Sequence, residues 1–217
     1  MFKPIRWKDF PKDFIVIQIG FALFGLSIAL MIRGNLGTGP WSVFEVALAQ
    51  ISGLTPGTLT VIVGFTVLVI ALLLRERIGW GTLGNILSIG PWLDLFLWIL
   101  PSVENNPVIQ IAMLLLGVLA QGIASAIYIG VNAGAGPRDS LMLAIQRTTG
   151  LSIRMARGII EVSVVLLGWL LGGPAGVGTV IFALLIGPAV QWGFKLFNVH
   201  PHKDEAEKSI EAEAAAD

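Results

Sequence analysis

The sequence contains no cysteine. That excludes disulfides, thiolate metal sites and thiol nucleophiles, and it removes the usual marker of redox compartment. Charge is scarce as well. Only 13% of the 217 residues are Asp, Glu, Lys or Arg, about half the share of an ordinary soluble domain. The formal net charge is zero, so no basic face offers itself to nucleic acid. The two histidines, His200 and His202, flank Pro201 near the C-terminus and make a poor metal site. The sequence holds no Gly-rich phosphate loop with a Lys, no zinc-ligand spacing and no nucleophile–base pair. Enzymatic activity, a cofactor and a metal are therefore not expected.

What the chain does have is apolar length. Hydrophobic residues make up 55% of it, and the mean hydropathy is +0.82. Several runs approach or exceed the ~18 residues that suggest a membrane span. Residues 1–13 form a basic N-terminal segment, with Lys3, Arg6, Lys8 and Lys12 against Asp9 and Asp13. Six spans are predicted at about 14–32, 57–74, 82–100, 108–131, 153–171 and 179–197. The first run follows a basic segment as a signal peptide does. It is too long for a typical h-region, however, and lacks a small-residue cleavage site. Two shorter helices, 41–51 and 138–148, would each be ~16 Å long, about half a bilayer. Residues 101–107 form a polar linker without Lys or Arg, and residues 199–217 a charged, Ala/Glu-rich tail.

One stretch occurs twice. Asn35-Leu36-Gly37-Thr38-Gly39-Pro40-Trp41-Ser42 opens the first short helix, and Asn132-Ala133-Gly134-Ala135-Gly136-Pro137-Arg138-Asp139 opens the second. Alternate glycines permit a sharp bend, and Pro suits the first turn of a helix. A shift of 97 residues also lays Gly20 on Gly117, Gly25 on Gly122, Gly53-Leu54 on Gly150-Leu151, Gly79 on Gly176, and Gly90-Pro91 on Gly187-Pro188. Apolar matches are cheap in such a chain, but matched Gly, Pro and Asn are backbone signals. The pattern predicts two repeats, 14–100 and 108–198, with the Gly-Pro pairs at 90–91 and 187–188 interrupting the third span of each.

Loop charge fixes their relative orientation. If the short helices do not cross, the N-terminus, Arg75 and Arg77, the stretch from Arg138 to Arg157, and Lys195, Lys203 and Lys208 all fall on the cytoplasmic side. The bare linker 101–107 then falls outside. If the short helices crossed, Arg75-Glu76-Arg77 would lie outside. Three passes per half invert the second half relative to the first. The expected fold is an all-α membrane protein of six transmembrane helices and two half-helices, built as two inverted-topology three-helix repeats.

The paired Gly-rich bends ending in Gly-Pro, with a second Gly-Pro in the third span of each half, resemble the YczE/YitT-like family of small bacterial membrane proteins. The resemblance covers nearly the whole chain except its ends. It implies a bacterial inner membrane and supplies no substrate or site residues.

Inverted repeats with broken helices are the usual design of secondary transporters, with the solute near the midplane. The expected function is transport or facilitated passage of a small anionic or zwitterionic solute, at a central pocket where the two half-helix N-termini present free N–H groups. The candidate substrate-binding residues are Asn35, Gly37, Gly39, Asn132, Gly134, Gly136, Arg138 and Asp139. Asn35 and Asn132 also fit as turn residues with positive φ. The candidate polar-pocket or coupling residues are Asp94 with its repeat counterpart Gln191, Glu161 and Glu45. Asp94 alternatively sits solvated at the outer interface, and Glu45 at an interface. Glu161 alternatively forms a salt bridge with Arg157 one turn earlier. The expected partners are the lipid bilayer and a small solute, with a homodimer compatible and nucleic acid excluded. The alternative function is a non-transporting scaffold or regulator of a partner protein.

Overall fold

The computed structural model describes residues 7, 9–76, 78–134 and 136–199. The expectations for the first six residues, Lys8, Arg77, Ala135 and the tail from His200 lie outside these. Among the described residues the chain folds into eight helices: α1 (Phe10–Gly34), α2 (Pro40–Ser52), α3 (Pro56–Leu73), α4 (Trp80–Ile99), α5 (Pro107–Gly130), α6 (Pro137–Thr149), α7 (Ile153–Leu170) and α8 (Val177–Leu196).

Local chemistry sets the boundaries. Prolines stand at the starts of α1, α2, α3, α5 and α6, where a missing N–H costs nothing. The side chains of Thr55, Asn106 and Ser152 cap α3, α5 and α7 by accepting from the backbone N–H groups of Thr58, Ile109 and Met155. The two short helices end at Gly53 and Gly150, with φ of 74° and 72°. Asn35 closes α1 at φ 53°, and Asn132 follows α5 at 55°. Their role as turn residues is thus the one the backbone displays.

Helices α1, α3, α4, α5 and α8 are long and apolar enough to cross a bilayer. Helix α7 equals α3 in length, 18 residues each, but carries Arg154, Arg157 and Glu161. Large apolar side chains such as Leu73, Trp98, Val108, Leu170 and Leu184 stand exposed on the outside, a surface suited to lipid rather than water. The chain is a multi-pass membrane protein.

The half-helices are each 13 residues long, slightly more than the sequence suggests and still short of a span. One expectation is corrected. Neither Gly90-Pro91 nor Gly187-Pro188 interrupts its helix, since α4 and α8 each run unbroken for 20 residues with the proline inside. A proline removes one N–H from the ladder, a loss that neighbouring helices make tolerable in apolar surroundings.

The helix boundaries recur 97 positions apart: α2 with α6, α3 with α7 and α4 with α8 coincide at both ends, and α1 with α5 at the start. The halves also dock reciprocally. The bend after α1 closes on the start of α8, where Gly178 N–H donates to the Leu36 carbonyl at 2.7 Å. The bend after α5 closes on the start of α4, where Gly81 N–H donates to the Ala133 carbonyl at 3.0 Å. Gly37 and Gly134 lie at these crossings with φ of 113° and 127°. A Cβ on Gly37 would stand 2.8 Å from Gly176 N, and one on Gly134 2.7 Å from Gly79 Cα. The alternate glycines of each bend are not equally constrained, and Gly39 and Gly136 are the freer two. These two have ordinary φ of −63° and −60° and face side chains, so the constraint lies two residues earlier.

Helices α1 and α5 cross at the centre, where Ser27 Oγ donates to the Gly117 carbonyl at 2.7 Å. Gly25 lets α4 approach α1, and Gly122 lets α8 approach α5. The half-helices lie between α3 and α7 and are tied to one another. Arg138 of α6 forms an ion pair with Glu45 of α2, and its guanidinium lies 5.0 Å from the centre of the Trp41 ring. Thr60 Oγ1 of α3 donates to the other Glu45 oxygen at 2.8 Å. At 1% exposure, Glu45 is an interior residue and not the interfacial one its position on a short helix allows.

Asp94 is fixed differently from a pocket carboxylate. Its Oδ1 accepts from Gly57 N–H at 2.8 Å, and its Oδ2 from the Thr55 hydroxyl. It thereby clamps α4 onto the positive end of α3. Arg33, absent from the charge count above, sits in the last turn of α1. It donates to Ser102 Oγ at 2.7 Å and to the Leu97 carbonyl, and Val103 N–H donates to the Arg33 carbonyl at 2.9 Å. The linker is thus docked against α1.

Two predictions concern stability in detergent, measured by thermal unfolding. Gly90→Ala drives a Cβ into Gly57 backbone, whereas Gly187, at the matching position, has nothing within 4 Å. Gly90→Ala should cost ~1–3 kcal/mol through overpacking, and Gly187→Ala should be neutral or stabilising by ~0.5–1 kcal/mol. Equal effects would mean that the α3–α4 crossing is not as close as described. Arg138→Gln strands the buried Glu45 carboxylate and should cost ~3–5 kcal/mol. Adding Glu45→Gln to it should recover much of that loss; a double variant no more stable than the single one would mean the pair is not coupled.

Candidate functional site

The first turns of α2 and α6 line a common cavity of about 220 Å³. Gly39 to Ser42 contribute from one side and Gly136 to Asp139 from the other. Neither helix has a side-chain cap at its start. Each therefore presents first-turn N–H groups without an intrahelical partner and a partial positive charge of about half a unit. Helices α1, α3, α4, α5, α7 and α8 complete the walls.

Many lining residues come in pairs 97 positions apart, and most pairs differ in chemistry. Phe24 faces the cavity from α1 and Gln121 from the matching place on α5; Ile28 pairs likewise with Ser125. Trp41 and Ser42 match Arg138 and Asp139, Thr60 matches Arg157, and Gly64 matches Glu161. The second half thus supplies the lining charges, and the first half supplies bulk, small residues and hydroxyls. Asn85 and Phe182 reverse this trend. Phe182 lies against Gly39, where a Cβ would stand 3.0 Å from its ring, while Asn85 and Tyr128 lie near Gly136.

The lining charges are organised. Tyr128 Oη donates to Asp139 Oδ2 at 2.9 Å. Arg157 Nε donates to Glu161 Oε1 at 2.7 Å, one turn along α7, which is the salt bridge the spacing suggests. Arg138 reaches away to Glu45. Gln121 accepts from Ser27 Oγ at 3.1 Å, anchoring the amide at the α1–α5 crossing.

Of the residues singled out in the sequence, Gly39, Gly136, Arg138, Asp139 and Glu161 line the cavity. Glu45 stands behind Arg138 as its counter-ion. Asn35, Gly37, Asn132 and Gly134 shape the bends and are not among the lining residues, and neither are Asp94 and Gln191. The hypothesis that Asp94 faces the pocket is therefore corrected, since it caps α3. Sequence reasoning passed over Asn85, Gln121 and Ser125 as site residues. The signal was available: polar side chains inside otherwise apolar spans are costly unless they face a cavity or a partner.

The chain matches the family described as "Family of unknown function (DUF6198)" over residues 11–195. It is 34% identical over 199 residues to a Haemophilus influenzae uncharacterized protein, covering 90% of this chain and 89% of that one. It is 34% identical over 185 residues to the uncharacterized membrane protein YczE of Bacillus subtilis, covering 84% and 82%. A third relative, YyaS of Bacillus subtilis, is 28% identical over 173 residues, covering 78% and 86%. No solved structure matches the chain. The sequence resemblance, the family match and the extent of these alignments agree, and the chain belongs to this family of YczE-like membrane proteins.

Proposed function

We propose that the protein is a secondary transporter or facilitator of a small anionic or zwitterionic solute, bound in the cavity between the half-helices. It is not an enzyme in this reading, and its partners are the solute and the bilayer. The observation that carries the reading is the convergence of two uncapped half-helix starts, Gly39–Ser42 and Gly136–Asp139, on one cavity that holds charged side chains beside apolar ones. Helix starts inside a membrane protein are stable without side-chain caps where they face a ligand or water-filled space. A non-transporting scaffold has no evident use for that space, so the cavity favours the solute reading over the scaffold.

The accompanying topology has α7 as a sixth crossing and the two halves inverted. Its three charged residues do not oppose this. Arg157 and Glu161 pair with one another and both line the cavity, and Arg154 lies in the first turn of the helix, within reach of the interface. The reciprocal docking of the bends supports a two-fold relation between the halves. Arg138, drawn inward by Glu45, leaves the count of loop charges; Arg75, Arg147, Arg154, Arg157 and Lys195 remain to place the α3, α6 and α8 C-terminal ends and the start of α7 in the cytoplasm. Arg147 pairs with Glu76 at 2.9 Å, holding the end of α6 to the loop after α3. The N- and C-termini are then cytoplasmic, and the membrane is the bacterial inner membrane.

Two measurements test these statements. Purified protein in liposomes should take up one or more members of a panel of amino acids and small anions above empty-vesicle levels, and Asp139→Asn should reduce that uptake at least about tenfold by removing a lining charge. Absence of uptake across the panel would favour the scaffold. Single cysteines placed beside Glu76 and Glu104 in this thiol-free chain should label from the cytoplasmic and the external side, respectively. External labelling at the first position would overturn the three-pass topology.

A further inference from the structure

We infer that the cavity takes a small zwitterion bearing an apolar group, of the kind of a free α-amino acid with a hydrocarbon side chain, held in a single orientation. This rests on reading the cavity as a solute site, but not on transport.

The first argument is charge. Arg138 and Arg157 line the cavity together with Asp139 and Glu161, two groups of each sign. Both guanidiniums already have carboxylate partners, Glu45 and Glu161. A simple anion would compete with those partners and leave the acids facing it. A molecule with both signs can engage one group of each kind without leaving a net charge in a low-dielectric space.

The second argument is direction. The first turn of α2 carries no acidic residue. Buried Ser42 lies there, and the Arg138 guanidinium sits over neighbouring Trp41. The first turn of α6 carries Asp139, bonded to Tyr128 and within electrostatic reach of Arg157. A carboxylate is therefore favoured beside Ser42 and Arg138, and an ammonium beside Asp139 and Glu161. The apolar group faces Phe24, Ile28, Phe182 and Ile186, which share the same cavity. Pairs that matched in chemistry would have offered two equivalent orientations; these do not.

The third argument is size. The cavity volume of about 220 Å³ falls below the ~300–1,000 Å³ of drug-sized pockets. A single amino acid suits that space.

The experiment measures binding by calorimetry to the purified full chain in lipid nanodiscs. The probes are L-leucine, L-phenylalanine, glycine, 4-methylpentanoate, leucinamide and sodium phosphate. L-Leucine or L-phenylalanine should bind, and glycine, 4-methylpentanoate, leucinamide and phosphate should each bind at least about tenfold more weakly. Glu161→Gln, whose side chain is partly exposed and paired only within its own helix, should keep the protein monodisperse. It should weaken leucine binding and leave 4-methylpentanoate no weaker, because only leucine carries the ammonium and Arg157 loses its competing carboxylate. Phosphate or 4-methylpentanoate binding as tightly as leucine would overturn the inference, and so would a folded protein that binds none of the probes. Leucine binding without accumulation in liposomes would remove the transport reading and leave this one standing. Accumulation of phosphate alone would do the reverse.

Discussion

The structure depends on two backbone hydrogen bonds between its halves, Gly178 N–H to the Leu36 carbonyl and Gly81 N–H to the Ala133 carbonyl. A helix start has N–H groups that need acceptors, and each one buried without a partner costs several kcal/mol. Here the bend of one half supplies the acceptor for the third long helix of the other. The carbonyls can reach only because the backbones nearly touch, which restricts Gly37, Gly134, Gly79 and Gly176 to glycine. The half-helices leave directly from these bends. Their starts are therefore positioned by the same two contacts, and the cavity between them follows.

That dependence explains what was readable in the sequence. Matched Gly, Pro and Asn at a shift of 97 are the imprint of backbone constraints, so the helix boundaries and the paired bends were visible before any coordinates. Side-chain placement was harder. Asp94 stands one turn after a Gly-Pro pair and looked like a broken-helix carboxylate, but the helix is unbroken and the carboxylate turns to the start of α3. Glu45 on a short helix looked interfacial because one helix alone does not reveal that Arg138, 93 residues later, will meet it. Gln121 and Ser125 are polar residues within a long span, and the crossing of α1 and α5 turns them toward the cavity. Local pattern encodes where the backbone bends, whereas the facing of a side chain depends on which helix lies opposite.

The ion pair between Glu45 and Arg138 adds a further constraint. Burying a carboxylate at 1% exposure is unfavourable unless its partners are geometrically fixed. Thr60 and Arg138 provide this from two other helices, so α2, α3 and α6 hold one relative position wherever this pair is intact. Arg138 is thereby both a wall of the cavity and a strut between the half-helices. A ligand carboxylate approaching it would share the guanidinium with Glu45, so binding there should alter how tightly the two half-helices are joined. Under the proposed solute reading, site occupancy and half-helix spacing would be coupled through this one side chain.

The two halves divide their resemblance according to physical role. Where the bends meet the starts of α4 and α8, and where α4 crosses α1 and α8 crosses α5, both halves carry the same residue: Gly37 and Gly134, Gly79 and Gly176, Gly25 and Gly122. Positions that face the cavity mostly do not: Phe24 and Gln121, Ile28 and Ser125, Gly64 and Glu161, Trp41 and Arg138. A two-fold scaffold with matched linings would present a symmetric site, and most small metabolites are not symmetric. Exchanging side chains at the cavity wall breaks the symmetry without disturbing the glycine contacts on which folding depends, since a wall position has open space on one side and a crossing position has none. The same geometry that forbids change at the bends permits it at the wall, so the chemistry of the site can differ between the halves while the scaffold remains common to both.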